Sequence, residues 1–166
     1  MLIAASGIAL RPLAASRAAV YPKVLLSIAV GGVSTLALVT QGVLAVDRWY
    51  QGSVVIPLAG MIFAVSMNTV SLAAERYEAE TKRGSDHEAA RQTALRSALI
   101  PQINSLLAVG LVSFPGMMTG QIPSGVGPLV AVRYQIMVMS MLFGAAGMST
   151  ACYLSLQTSS PIPPRE

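Results

Sequence analysis

The sequence predicts an all-α fold, a polytopic transmembrane helix bundle with about four full spanning helices and a partial one at the N-terminus. Three observations predict it. Of the 166 residues, 54% are hydrophobic and 11% are charged, with a mean hydropathy of +0.63; soluble domains carry about a quarter of their residues as charges. Apolar stretches recur at the ~20-residue length that crosses a bilayer core as a helix. Lysines and arginines fall mainly between alternate stretches, as they do in membrane proteins of fixed orientation.

The opening ten residues are too short to span as a helix. Arg11 and Arg17 follow this apolar run rather than precede it, the reverse of a signal peptide. They read as a basic cytoplasmic turn after the tail of a hydrophobic segment. Spans are then expected at 24–46, 53–74, 99–118 and 131–156. The first contains Gly31 and Gly32; the second carries Pro57, Gly60, Ser66 and Asn68. The third holds Pro101, Gln102 and Asn104 near one end and the Pro115-Gly116 break near the other. A Gly/Pro-rich turn leads to the fourth, which opens with Arg133, Tyr134 and Gln135.

Nine of the eleven basic residues fall on one side under this assignment, and that side is read as cytoplasmic. Arg48 and Arg133 fall on the other, with Asp47, Trp49 and Tyr50 in a short external turn. The expected organisation is a transmembrane domain over 1–158 and a Pro-rich, disordered tail over 159–166. Residues 75–97 form the one substantial cytoplasmic loop, polar and mixed in charge. Ser85 followed by Glu88 is a capping-box pattern, which places a helix start near Asp86. The helix presents the small residues Ala89, Ala90, Thr93, Ala94 and Ser97 beside Arg91.

Several function classes are excluded or weakened. Cys152 is the single cysteine, so neither an internal disulfide nor a multi-cysteine zinc site can form within one chain. The phosphate-cradling Gly-rich loop with Lys-Ser/Thr is absent, so any ATP hydrolysis belongs to another polypeptide. Nucleic acid is not an expected partner, because the basic residues flank apolar spans and aromatics make up only 5%. No acid falls inside an expected span, which argues against a carboxylate proton relay. The one histidine, His87, reads as a solvated loop residue. The methionines, including Met137, Met139 and Met141, read as adaptable packing; their period of two cannot sit on one helix face. Arg133 either snorkels to the outer interface or serves as an external gate or packing anchor.

Amides within the membrane are costly without partners. Two readings of Asn68, Gln102, Asn104 and Gln135 are open: hydrogen bonding between helices, or the lining of a translocation path together with Pro115 and Gly116.

The segments IPLAGMI, MNTVSLA, ALIPQINS, GLVSFPGMMTGQI and AVRYQIMVM together resemble the FetB family of ABC-transporter permeases, implicated in iron export. Plant relatives of that family are linked to aluminium tolerance and to nucleotide-sugar transport. The resemblance implies a permease in a bacterial inner membrane, with a separate ATPase carrying the ATP, a permease homodimer forming the path, and no cofactor in this chain. It also implies that the short helix containing Ser85, Glu88, Ala89, Ala90 and Arg91 couples to that ATPase. Three departures stand out. The chain begins where a preceding membrane helix is expected to be ending. Ala64 and Val65 stand where the family has Gly-Asn, which removes one intramembrane amide. The cytoplasmic loop is about one helical turn (~5.4 Å) shorter. A truncated, non-transporting relative is therefore the alternative.

Overall fold

A computed structural model describes residue 5 and residues 17–43, 52–108 and 122–157 of the chain. These residues fold as four α-helices and one π-helical segment: α1 (Arg17–Ala37), the π segment (Leu38–Val43), α2 (Gly52–Lys82), α3 (His87–Ala108) and α4 (Pro128–Ser155). No strand occurs among the described residues.

Two apolar cores fix the directions of the helices. One gathers Val24 and Ile28 from α1, Val70, Ala73 and Ala74 from α2, Ala94 and Ala98 from α3, and Tyr153 and Leu154 from α4. The other gathers Val39, Leu58, Ile62, Val138, Met141 and Ala145. The start of α1 therefore meets the end of α2 and the end of α4, so the four helices alternate up and down. In the orientation set by the basic residues, the first core is cytoplasmic and the second external.

Between the cores lies a layer of small residues where helix backbones nearly touch. A β-carbon at Gly31 would sit 2.6 Å from the Ser149 backbone nitrogen. One at Gly32 would meet the Phe63 ring at 2.6 Å. Ser149 Oγ donates to Ser66 Oγ across 3.0 Å in this layer, tying α4 to α2. Membrane helices associate through such close approaches, because lipid supplies no hydrophobic drive between them.

Several other hydroxyls are satisfied within their own helices, whereas the buried Thr150 Oγ1 has no partner among the described residues. Thr35 donates to the Gly31 carbonyl, Thr69 to that of Val65 and Ser105 to that of Pro101. This back-bonding to the preceding turn lets Ser and Thr lie in hydrocarbon without outside partners.

Three described helices are long and apolar enough to cross a membrane, at Val20–Gly42, Val55–Lys82 and Pro128–Ser155. The expected span at 99–118 is described only in its first half, which continues α3; Pro115 and Gly116 lie outside the described residues. So do the tail at 159–166 and the external turn at 47–50. The interval expected as a loop, 75–97, is instead helical over most of its length. The 31-residue α2 rises about 46 Å, more than the ~30 Å hydrocarbon core. Its last turns, with Glu75, Arg76, Glu78 and Lys82, therefore stand beyond the apolar layer.

Candidate functional site

The most elaborated polar structure is the hairpin joining α2 to α3 at the cytoplasmic end. Glu80 organises it. Its side chain is 12% exposed and accepts from Arg76 at 2.8 Å, from Arg83 at 3.2 Å and from Ser85 Oγ at 2.9 Å. Its backbone carbonyl also accepts from the Arg83 and Ser85 amides. Gly84, at φ 83°, takes the left-handed turn that a side chain would strain.

The cap of α3 differs from the expected capping box by one residue. Asp86, not Ser85, sits at the cap: its backbone carbonyl accepts from the Ala90 amide at 2.8 Å and its carboxylate from the Glu88 amide at 3.3 Å. The reason is local competition. Ser85 is drawn back to the buried Glu80 carboxylate, which leaves the neighbouring acid to satisfy the helix start. The Glu88 side chain turns along α3 to Arg91 at 3.3 Å and Gln92 at 3.4 Å rather than back to the cap.

His87 is also placed differently from expectation. It is half-buried, with Nδ1 2.9 Å from the Tyr77 hydroxyl and its ring edge-on to the Tyr77 ring at 5.9 Å. This contact links the first turn of α3 to the last turns of α2. The small residues of α3 divide in two. Ala90, Ala94 and Ala98, four apart, are fully buried against the bundle, whereas Ala89 is exposed. Their smallness first serves close packing inside the chain.

Two grooves flank the hairpin. One, of about 280 Å³, lies between the ends of α1, α2 and α4 and is lined by Tyr77, Glu78, Lys82, Tyr153 and Gln157. The other, of about 270 Å³, is lined by Leu72, Glu75, Arg76, Ala79 and Ser97.

The amides expected to line a path do not converge inside the bundle. Asn68 and Asn104 are exposed and Gln102 is half-buried. Gln135 is buried, and its Oε1 has no partner among the described residues. Pro115 and Gly116 lie outside the described residues. Among the described residues, no group of three His, Cys, Asp or Glu side chains is placed to hold a metal ion. Met137 and Met141 share a helix face, while Met139 does not line it.

Sequence reasoning missed a groove at the other end of the bundle. It has a volume of about 450 Å³ and runs between the α1–π junction and α4, with Arg133 at its mouth. The spacing of Arg133, Met137, Met141, Gly144 and Met148 was the signal that could have revealed it.

Helices of spanning length joined by a charged hairpin define a multi-pass integral membrane protein. Residues 1–88 and 81–160 match the uncharacterised protein family UPF0014, and the chain belongs to that family. It is 40% identical over 118 residues to a UPF0014 membrane protein of Synechocystis sp., an alignment covering 62% of this chain and 46% of that protein. It is equally 40% identical over 118 residues to the probable iron export permease protein FetB of Escherichia coli, covering 61% and 46%. Protein ALUMINUM SENSITIVE 3 of Arabidopsis thaliana is 34% identical over 116 residues, covering 60% and 42%. The chain thus spans less than half the length of these relatives. No solved structure matches it.

Proposed function

We propose that this chain is the membrane-spanning part of an ABC-transporter permease that exports iron or another metal, driven by a separate ATPase. The observation that carries the reading is the α2–α3 hairpin. It is a charged, hydrogen-bonded helical tip continuous with a membrane helix, at the end of the bundle where an ATPase would dock. The relative named as a probable iron export permease supports the metal cargo.

In this reading Ser85 and Glu88 set the shape of the tip, while Ala89 and Arg91 meet the ATPase. The buried Ala90 fastens the tip to the bundle. ATP would be held and hydrolysed on the partner, with no cofactor in this chain. Asn68 and Asn104, exposed on the outer faces of α2 and α3, support a path between permease copies rather than inside one. Gln102, Pro115, Gly116 and Gln135 remain proposed path residues on the same reading. The second reading, a non-transporting relative, is favoured by Val65, which removes an amide from the second span.

The test is export. The chain is co-expressed with its ATPase in bacteria lacking their own iron exporter, and cellular iron is measured under iron excess. Iron that falls only when the ATPase is active supports the metal permease. Unchanged iron, with the protein confirmed in the membrane, overturns it in favour of the non-transporting relative or of a non-metal cargo such as a nucleotide sugar.

A further inference from the structure

We infer that the groove headed by Arg133 is a binding site for a single anionic phospholipid in the external leaflet. The phosphate would sit on Arg133 and one acyl chain would lie along α4. Four observations lead there.

The first is the shape of the groove. Its α4 wall is formed by Arg133, Ile136, Met137, Met141, Gly144 and Met148, a single stripe on the helix, faced by Leu38 and Val39. From residue 133 to residue 148 the helix rises about 22 Å at 1.5 Å per residue. Half of a ~30 Å hydrocarbon core is ~15 Å, so the stripe is long enough for one leaflet's acyl chain and the glycerol above it.

The second is charge. Arg133 is exposed and makes no ion pair or hydrogen bond with any described residue. The described acids, Glu75, Glu78, Glu80, Asp86 and Glu88, all lie at the opposite, cytoplasmic end. Asp47, the acid expected on the external side, lies outside the described residues. A guanidinium offers a phosphate diester two parallel donors, a geometry that an ammonium lacks.

The third is polarity along the groove. Below Arg133 the polar side chains are Ser140 and Thr35, and the Thr35 hydroxyl is already committed to the Gly31 carbonyl at 2.7 Å. One charged end and an otherwise apolar length match a lipid better than a free phosphate, which would leave the apolar length unused. The fourth is room. A β-carbon added at Gly144 meets no neighbour within 4 Å among the described residues, so the floor of the groove is open where an acyl chain would pass.

The test uses the full chain purified in detergent, with phosphatidylglycerol or phosphatidylcholine added and retained lipid counted by native mass spectrometry. The wild type should hold one phosphatidylglycerol in preference to phosphatidylcholine. Arg133→Gln should lower phosphatidylglycerol affinity roughly tenfold, the scale of one lost charged hydrogen-bonding pair. Arg133→Lys should keep part of the preference. Gly144→Leu, whose β-carbon enters open space, should weaken both lipids by filling the floor. Thermal melting confirms that each variant is folded. Equal retention by wild type and Arg133→Gln overturns the proposal, as does unchanged binding in Gly144→Leu. A Ser140→Cys variant in a Cys152→Ala background adds a further check. Ready disulfide formation between two copies would mean that protein, not lipid, fills the groove.

Discussion

Gly31 and Glu80 carry opposite kinds of constraint. At Gly31 the constraint is steric: besides the Ser149 hydroxyl, the Ser149 backbone nitrogen and Cα crowd the site, and these cannot swing aside as a side chain can. Gly31→Ala should therefore cost about 1–3 kcal/mol, the usual range for overpacking. Gly32→Ala should cost less, because the obstruction there is the Phe63 ring. Thermal unfolding of the two variants in detergent checks the order. At Glu80 the constraint is electrostatic and directional. Glu80→Ala removes the acceptor for Ser85 and for two arginines; the Nε of Arg76 is already buried without a partner among the described residues. The exposed arginine pairs contribute ~0–1 kcal/mol each. The expected result is local: amide hydrogen exchange over residues 79–90 quickens by about tenfold while the spans keep their protection.

Helix boundaries and faces show where the sequence was legible and where it was not. The membrane helices were read from apolar length, and three of them stand close to the expected positions. The extension of α2 to Lys82 was missed because hydropathy reports a preference for lipid, not for helix. Residues 75–82 are rich in Glu, Ala, Arg and Lys, all strong helix formers, and they continue the helix into water. Ser85 and Asp86 are both good caps, and only the position of Glu80 in space decides between them. The amides at Asn68, Gln102, Asn104 and Gln135 were recognisable as unusual. Their facing was not, because it depends on which helix neighbours which. On α3, the buried stripe Ala90, Ala94 and Ala98 sets the spacing to α2 and α4. Ala94→Leu should force these helices apart and lower thermal stability by about 1–3 kcal/mol, whereas Ala89→Leu, on the exposed face, should leave it unchanged.

For the whole molecule, alternating helices and segregated basic residues predict one topology, with the hairpin inside and the turn at 122–125 outside. In a Cys152→Ala background, Pro123→Cys should react with a membrane-impermeant thiol reagent in intact cells, and Lys82→Cys only after permeabilisation. The reverse labelling pattern would invert the molecule and remove the hairpin from any cytoplasmic partner. A core of side chains at each end with bare backbone contact between them has a mechanical meaning. The crossing at Gly31, Ser66 and Ser149 brings the described helices into close contact, and α2 passes it as a rod of 31 residues. Such a rod can act as a lever with its fulcrum in the membrane. A push on its inner end would be delivered at its outer end with the opposite sign, so that one movement would narrow the cytoplasmic side as it widened the external one.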